Sequence, residues 1–350
     1  PMTDAYLNND HDRIDPEHFR ALDRVVEYLA AKDVIADLIM FTTAEESFGT
    51  EEQDHRFARY LLARYAAYPN VIWCLTNEWN YTKRPIDYWN RLGRMMRSED
   101  PWVERGKYIR GLSIHQQTRY DWNFFDQNWY SHVIVQLGVR NRGRARRDTD
   151  EWRASGGNRS EYFRHGDDWG YFSIMFNRGR GYPVVNDEYG YIGEPDDQTE
   201  GKGVALTRDK HRRVMWGIAL AGGYGAAGDK TEYKHGRPYM NAVWEDTAEY
   251  GDIRHLIAFW TKRGIAYWRM SPAGNEKDLI AKRVYVLAEP GKEYVLYSAA
   301  GGRVELPVPG AGWLAERFDP RTGAVARIES GSTVDLPAGQ DWVLHIRKRP

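Results

Sequence analysis

Apolar runs of strand length alternate with segments of helical spacing over most of this chain, and this alternation limits its fold more than any other feature. Val34–Phe41 and Val71–Thr76 are mostly apolar, which is typical of strands buried on both faces. Asp15 followed by Pro16 marks the start of a first helix. Strands that alternate with helices indicate βαβ units and a parallel sheet. Strands are predicted at 34–41, 71–76, 108–114, 132–137, 183–187 and 223–227, and helices at 16–31, 52–67, 85–98, 169–178, 208–220 and 251–262.

Polar stretches follow the predicted strands, at 42–51, 77–84, 115–128, 138–168, 188–207 and 228–250. A (β/α)8 barrel carries its active site in the loops that follow its strands. The chain has 350 residues, which suits a barrel of about 250 residues and a second, smaller domain. We therefore predict an α/β fold, a (β/α)8 TIM-type barrel over residues 1–277, in which only six strand–helix units can be read.

Residues 278–350 predict a C-terminal antiparallel β-sandwich domain. Seven short strands without helices between them can be read at 279–288, 293–299, 302–306, 313–318, 324–328, 332–336 and 342–346. Large rings near a short linker are most readily buried against each other. A contact across the domain boundary is therefore expected between two pairs of rings, Trp260 or Trp268 on one side and Trp313 or Trp342 on the other.

The composition excludes several classes of partner. Lys plus Arg number 49 and Asp plus Glu number 50, so no net field favours nucleic acid or an anionic membrane. No stretch approaches the roughly 20 apolar residues of a membrane span. Aromatic residues make up 14% of the chain, and such rings fill cores or form platforms for ligands with apolar faces, such as sugars. Cys74 is the only cysteine, so the compartment stays open, although a leader before Pro1 would favour a secreted or periplasmic location.

Two glutamates stand where a predicted strand meets a polar loop. Asn77 and Glu78 directly follow strand 71–76, and Glu188 follows strand 183–187. In one barrel both glutamates would project into the same mouth. Hydrolysis of a glycosidic bond requires such a pair, because one carboxylic acid protonates the leaving oxygen while the other carboxylate attacks the anomeric carbon or activates water. The alternative is that each glutamate is a structural ion-pair partner.

Two segments resemble signatures of the large clan of retaining (β/α)8 glycosidases. Trp73-Cys-Leu-Thr-Asn-Glu-Trp79 is similar to the clan's Asn-Glu segment on the fourth strand, and Val184-Val-Asn-Asp-Glu-Tyr-Gly190 to its nucleophile segment on the seventh. The Asp-His-Asp-Arg-Ile-Asp-Pro start at 10–16 and the Arg-Gly-Leu-Ser-Ile-His strand at 110–115 resemble the apiosidase-like subgroup. The terminal domain resembles the β-sandwich that is labelled collagen-binding in that subgroup. The resemblance covers nearly the whole chain and implies a barrel glycoside hydrolase.

The resemblance implies a role for each of three residues. Glu78 would be the catalytic acid/base, Asn77 would hold the sugar 2-hydroxyl, and Glu188 would be the nucleophile. The chemistry of the residue types agrees, because an Asn amide offers both a donor and an acceptor beside the carboxylate. Hydrogen bonds to the 2-hydroxyl lower the barrier by several kcal/mol. No metal or cofactor is expected.

Five further residues are predicted to bind substrate at the same mouth. His115 follows strand 108–114 and would bond a sugar hydroxyl or orient a carboxylate, with a purely structural histidine as the alternative. The four aromatic residues would form walls on which sugar rings stack, with simple packing as the alternative. They stand at loop starts and are Trp79, Tyr189, Tyr191 and Tyr224.

The count of six readable units departs from the eight of the family pattern. Two units, roughly 50–70 residues, are expected before Pro1, so a complementing N-terminal segment is an expected partner of the barrel besides a carbohydrate substrate. The sequence is interpreted as a retaining glycoside hydrolase that cleaves plant or algal polysaccharides or oligosaccharides through a covalent glycosyl-enzyme intermediate. In such an enzyme the carboxyl groups of Glu78 and Glu188 would lie about 5–5.5 Å apart. The alternative is a catalytically impaired, carbohydrate-binding barrel protein.

Overall fold

The computed structural model describes residues 4–104, 107–108, 110–116, 123–136, 169–178, 181–189, 207–225, 248–274, 283–307, 312–329 and 331–349. The chain divides into two compact units. The first comprises Pro1–Val135 and Arg180–Pro183, and the second comprises Gln136–Gly179 and Val184–Pro350.

The first unit alternates helices with parallel strands. Its elements in chain order are α1 (Pro16–Ala30), β1 (Ala36–Phe41), α2 (Glu51–Tyr65), β2 (Val71–Thr76), α3 (Ile86–Glu99), β3 (Val103–Glu104), β4 (Lys107–Tyr108), β5 (Leu112–Ser113), β6 (His115–Gln116) and β7 (Val133–Val135). β2 pairs in parallel with β1 and β5, β6 pairs in parallel with β7, and β3 and β4 form a short antiparallel pair. Only Ile114 separates β5 from β6, so the parallel order runs from β1 to β7.

Side chains cap the first two helices of this unit. The Asp15 carboxylate accepts a hydrogen bond from the Glu17 N–H at 2.9 Å, and Pro16 occupies the first helical position. At the start of α2, Thr50 and Gln53 each accept a hydrogen bond from the other's backbone N–H. A cap of this kind contributes about 1 kcal/mol to stability. The last two residues of the 10–16 segment, Asp15 and Pro16, are therefore explained by helix capping.

β2 is buried along most of its length, as predicted, whereas β1 is not. In β1, Asp37 and Ile39 are exposed, and Ile39 retains 48% of its accessible surface. Among the described strands, β1 pairs with β2 alone and forms the edge of its sheet. The prediction that Val34–Phe41 is buried on both faces was wrong, because a strand with a neighbour on one side only leaves more of its surface accessible. The expected complementing segment stays a prediction.

A buried ion pair lies at the amino end of β2. Arg110 is 5% exposed, and its guanidinium donates to the carbonyl oxygens of Val71 and Ala66 at 2.5 and 2.7 Å. Its Nε lies 3.2 Å from Oδ2 of Asp100, which also accepts a hydrogen bond from the Trp73 indole at 2.7 Å. Such a pair ties three segments together, because each polar atom that is removed from water needs a partner.

The second unit continues the alternation and then changes to strands alone. Its elements in chain order are α4 (Trp169–Arg178), β8 (Val184–Asn186), α5 (Arg208–Leu220), β9 (Tyr224–Gly225), α6 (Ala248–Lys262), β10 (Ser271–Ala273), β11 (Val284–Glu289), β12 (Glu293–Ser298), β13 (Gly302–Glu305), β14 (Trp313–Phe318), β15 (Val325–Ile328), β16 (Thr333–Leu336) and β17 (Trp342–Lys348). β8 and β9 pair in parallel, with Val185 opposite Tyr224. α4 and α5 approach closely at Gly170, where a Cβ atom would lie 2.7 Å from the Val214 carbonyl oxygen.

The C-terminal strands form antiparallel sheets. Six of them lie in the order β10-β11-β12-β17-β14-β15, and β13 pairs with β16. Their buried core includes Leu296, Val304, Leu336, Leu344 and Ile346. All seven predicted strands are present, and β10 is a further strand that the sequence did not predict. The predicted domain boundary at residue 277 lies outside the described residues and stays a prediction.

Aromatic rings join α5 and α6 to the C-terminal sheet within the second unit. Trp216 stacks on Tyr297 with ring centroids 5.8 Å apart, and Phe259 packs on Phe318 at 5.0 Å. Of the four rings that were expected at this boundary, Trp268 is 70% exposed. The described aromatic contacts between these helices and the sheet involve other residues, so the predicted contact between the two tryptophan pairs stays a prediction.

The six predicted helices are confirmed, each within three residues of its predicted ends. β2 has its predicted bounds, 71–76, whereas other predicted barrel strands are shorter than expected. Strand 108–114 corresponds to the two short strands β5 and β6, and strand 223–227 to β9, with residues 226 and 227 outside the described part of the chain. Short strands are expected where the chain leaves the sheet early to form long loops.

Substitution of Asp100 tests the buried pair. We predict that Asp100→Asn lowers the free energy of unfolding by about 3–5 kcal/mol, because the Arg110 charge loses its partner in a buried site. The matched control is Glu99→Gln, which breaks the ion pair between Glu99 and Arg59. The side chain of Glu99 is 38% exposed and that of Arg59 is 51% exposed. That change should cost about 0–1 kcal/mol. Urea denaturation of both variants measures the difference, and equal losses would contradict the assignment.

Candidate functional site

Parallel pairing brings several strand ends of the first unit to one edge. Phe41 lies opposite Thr76, and Trp73 lies opposite Leu112, so His115 is level with Thr76. The carboxyl ends of β1, β2 and β6 therefore lie side by side. Asn77 and Glu78 come directly after this edge, as the sequence predicted.

The backbone at Glu78 has a conformation that is unusual for its residue type. Its φ and ψ angles are 45° and 56°, in the left-handed region, and a short 3-10 helix, Trp79–Tyr81, follows at once. A residue with a Cβ atom is destabilised there by roughly 1–2 kcal/mol. The Glu78 carbonyl oxygen accepts a hydrogen bond from the Tyr81 N–H at 2.9 Å, which closes the turn. Strained backbone of this kind is concentrated at functional sites.

Asn77 is held by the main chain and by a histidine. Its N–H donates to the Phe41 carbonyl oxygen at 3.0 Å, and its Oδ1 lies 2.5 Å from Nδ1 of His115. An amide oxygen can only accept, so Nδ1 of His115 carries the proton in this contact. Because His115 is 3% exposed, the imidazole is itself fixed in place. Because Oδ1 of Asn77 faces His115, the Nδ2 group of the amide points the other way and is the hydrogen-bond donor on that side.

Trp79 is the aromatic residue that follows Glu78 at this strand edge. It is half-buried, and its ring meets the fully buried ring of Phe124 edge to face, with centroids 5.4 Å apart. The Thr82 hydroxyl donates to the Trp79 carbonyl oxygen at 2.7 Å. The ring is thus supported by packing and keeps accessible surface, as a stacking wall requires.

Glu188 lies in the second unit, two residues after the end of β8, and is half-buried. On one side of it, Asn186 is fully buried, and its Nδ2 donates to the Ser173 hydroxyl of α4 at 3.1 Å. On the other side, the Tyr189 hydroxyl lies 3.1 Å from Nε2 of His211 on α5. The loop that carries Glu188 is therefore anchored on both sides. Sequence reasoning missed the two helical anchors, Ser173 and His211, because nothing in the chain order links them to β8.

Tyr189 and Tyr224 are placed differently from the expectation that both line the mouth. Tyr189 is 1% exposed, so its ring is a core group and not a stacking surface. Tyr224 is 45% exposed, but it lies opposite Val185 in the β8–β9 register. Val185 precedes Glu188 by three residues, which is roughly 10 Å along the strand direction. The third expected tyrosine, Tyr191, lies outside the described residues.

The neighbours of Tyr224 place it near the start of β9. Its ring meets that of Tyr267 edge to face at 6.2 Å. Burial raises its pKa, and hydrogen bonding and interaction with Tyr267 raise it further, while the Arg178 charge lowers it. Arg178 is the last residue of α4, and helices of a βα unit end where the next strand begins. Tyr224 therefore belongs to the end of β8 and β9 opposite the loop that carries Glu188.

The described residues hold no group of three or more His, Cys, Asp or Glu side chains that could bind a metal ion. In the same part of the chain, no helix is long and apolar enough to cross a membrane.

Comparison with known families and structures identifies related proteins. Residues 2–255 match the model of the apiosidase-like catalytic domain, which is well over half of the chain. No curated protein sequence gives a significant match.

Several solved structures are similar over almost the whole chain. A family 5 glycoside hydrolase from Bacteroides vulgatus ATCC 8482 has a TM-score of 0.74 at 16% identity, over 99% of this chain and 78% of its own. Another glycoside hydrolase has a TM-score of 0.70 at 15% identity, over 99% of this chain and 81% of its own. A presumed glycoside hydrolase from B. vulgatus has a TM-score of 0.69 at 19% identity, over 97% of this chain and 65% of its own. This chain thus spans slightly less than two thirds of that last structure.

These similarities establish the fold class. The related structures are TIM-barrel glycoside hydrolases, and the C-terminal strands of this chain form antiparallel sheets. The predicted α/β class, a (β/α)8-type barrel followed by an antiparallel β-sandwich, is confirmed.

Two buried histidines predict a loss of stability in acid. Burial lowers the pKa of His132 and of His211 from 6.5 to about 4. Between these values the unfolded chain binds protons that the folded protein does not, so protonation favours unfolding as the pH falls. Each histidine therefore contributes about 3 kcal/mol that is present at pH 7 and lost near pH 4. Urea denaturation at both pH values measures it. His211→Gln should reduce the pH dependence by about that amount, and an unchanged dependence would contradict a neutral His211.

Proposed function

This chain belongs to the apiosidase-like family of catalytic domains, and on that premise we propose that it is a retaining glycoside hydrolase. The proposed substrates are plant or algal polysaccharides or the oligosaccharides derived from them. Glu78 is the proposed acid/base and Glu188 the proposed nucleophile, with a covalent glycosyl-enzyme intermediate between the two steps.

The observation that carries this proposal is the placement of the two glutamates. Each follows the end of a parallel strand, Glu78 in a left-handed turn after β2 and Glu188 in an anchored loop after β8. Carboxylates that are held by rigid elements at strand ends suit catalysis in a barrel. Both are half-buried, so each remains accessible to a substrate.

The proposed reaction proceeds in two displacements. In the first, the Glu188 carboxylate attacks the anomeric carbon while the Glu78 carboxylic acid donates its proton to the leaving oxygen. In the second, the Glu78 carboxylate takes a proton from water, and the water oxygen displaces Glu188 from the sugar. Attack and protonation require the two carboxyl groups to lie about 5–5.5 Å apart, and this separation stays a prediction.

Asn77 and His115 are proposed to act together on the sugar 2-hydroxyl. The His115 contact occupies Oδ1 of Asn77, so the amide approaches the hydroxyl with its Nδ2 donor side. An N–H donor stabilises charge that builds up on the 2-hydroxyl oxygen as the transition state forms. Trp79 is proposed as the wall on which the sugar ring stacks.

Loss of either glutamate tests the proposal. We predict that Glu188→Gln lowers hydrolysis of an aryl glycoside, and Glu78→Gln hydrolysis of an unactivated glycoside, each by at least about 10³-fold, because the attacking and proton-transferring groups are removed. Reducing-sugar release from a glycan panel and mass mapping of a mechanism-based inhibitor provide the measurement, with label expected on Glu188. Glu99→Gln is the control. Glycan binding without turnover by the unmodified protein would favour the alternative, a carbohydrate-binding barrel.

The 2-hydroxyl contact has its own test. We predict that Asn77→Ala lowers kcat/KM by about 10²-fold, equivalent to the loss of a few kcal/mol of transition-state stabilisation. The unmodified enzyme should lose a similar factor on the 2-deoxy form of the same substrate. Asn77→Ala should then lose little more on that 2-deoxy substrate. If the loss of kcat/KM from Asn77→Ala and the loss from the 2-deoxy substrate multiply, Asn77 does not act on the 2-hydroxyl.

A further inference from the structure

The N-terminal part of α5 carries two adjacent side chains with different partners. His211 is fully buried and contacts Tyr189, the residue after Glu188. Arg212 is 2% exposed and forms two parallel hydrogen bonds to the Asp341 carboxylate, from Nε at 2.8 Å and from Nη2 at 2.7 Å. Asp341 lies next to β17 in the C-terminal sheet. One helical turn thus contacts both the Glu188 loop and the C-terminal strands.

The Arg212–Asp341 pair belongs to a larger buried cluster of charges. Asp252 of α6 accepts hydrogen bonds from Nη1 of Arg212 at 3.2 Å and, at 2.8 and 2.6 Å, from Arg208, one turn earlier on α5. Asp252 and Asp341 are fully buried, and the Tyr297 hydroxyl donates to Asp341 at 3.0 Å. Two arginines therefore balance two buried aspartates, which is a condition for keeping such charges out of water.

Arg212 keeps its charge in this cluster. Burial lowers the pKa of Arg212. Hydrogen bonds to Asp341 and Asp209, and the charges of Asp341 and Asp252, raise this pKa by more than burial lowers it, so the net change is an increase. Bidentate Arg–carboxylate pairs add geometric specificity as well as energy. The cluster therefore fixes the first turn of α5 against α6 and the C-terminal strands in one geometry.

The Tyr189 contact transmits this geometry to the loop of the proposed nucleophile. Burial lowers the pKa of His211 to about 4 and raises that of Tyr189, so both side chains are neutral at physiological pH and can share one hydrogen bond. Their rings lie 5.6 Å apart. Because Tyr189 is 1% exposed, it has little freedom to move unless His211 moves.

We propose that Asp341, Arg212, His211 and Tyr189 are positioning residues, through which the C-terminal strands hold the loop that carries Glu188. The inference rests on the proposed role of Glu188 and adds to it that the terminal domain takes part in catalysis. None of the four residues needs to touch the substrate. A displacement of roughly 1 Å at a reacting group lowers the rate by up to about 10²-fold, so loss of this support is large enough to be measured.

The test compares three variants with a matched control. Asp341→Asn removes the charge partner of Arg212, His211→Gln alters the link to the loop, and Tyr189→Phe removes only the hydroxyl. The control is Glu316→Gln, which breaks the contact between β14 and Arg263, just after α6, and leaves α5 untouched. Hydrogen exchange of residues 184–189 is followed by mass spectrometry, and kcat, KM and the urea midpoint are measured for each variant.

The proposal expects the same pattern from all three variants. Exchange at 184–189 should increase several-fold, and kcat should fall by about 10-fold with KM within about twofold, because the chemical step is affected more than binding. Glu316→Gln should lower the urea midpoint without either change. Asp341→Asn combined with Tyr189→Phe should lose no more than the worse single variant, because both release the same loop.

Three results would overturn it. Exchange and kcat of Asp341→Asn could match those of Glu316→Gln, which would reduce the cluster to a stabilising role. The losses of the double variant could multiply, which would make the two sites independent. If Asp341→Asn does not fold, Tyr297→Phe replaces it, because this change removes one hydrogen bond to Asp341 and keeps the charges. Unaltered exchange at 184–189 in both Tyr297→Phe and Tyr189→Phe would also contradict the proposal. Exchange needs no substrate, so the positioning role is tested even if Glu188→Gln shows that the proposed function is wrong.

Discussion

The parallel register of β1 and β2 is the constraint on which the placement of Asn77 and Glu78 depends. Pairing of Phe41 with Thr76 fixes where both strands stop, and the Asn77 N–H makes the last contact of that ladder. A slip of one residue would reverse the side chains of β2 between its two faces. It would also move Asn77 out of reach of His115. The strained backbone of Glu78 is tolerated because the strand before it and the 3-10 turn after it leave no other path.

Desolvation explains why each unit contains a buried cluster of charges. Arg110 and Asp100 satisfy carbonyl and indole groups that would otherwise be buried without partners, and Arg212 with Asp341 joins a helix to a sheet. Apolar side chains of similar size could fill either space with equal or greater stability. What the ion pairs add is a single allowed geometry, since a guanidinium fork pairs with a carboxylate in few orientations. This requirement matters most where a neighbouring loop carries a catalytic group.

The sequence predicts those features that are set by local rules. The start of α1 follows from the cap at Asp15 with Pro16 behind it, and the end of β2 at Thr76 follows from the change from apolar to polar residues. The orientation of Tyr189 could not be read in this way. Val184 and Asn186 are buried in strict alternation, but the chain leaves the strand after Asn186, so period-2 reasoning no longer applies. The side chain is then turned inward by His211, which lies on the next helix.

Contacts between distant segments were equally inaccessible to sequence reasoning, and α5 shows why they matter. Successive residues on a helix point about 100° apart, so His211 and Arg212 must meet partners on different sides of the helix. The cluster around Asp341 and the contact with Tyr189 therefore restrain α5 from two directions. A rigid helix that is fixed in this way transmits a change at one side to the other. The C-terminal strands, which carry none of the proposed catalytic residues, thereby become part of the structure that positions Glu188.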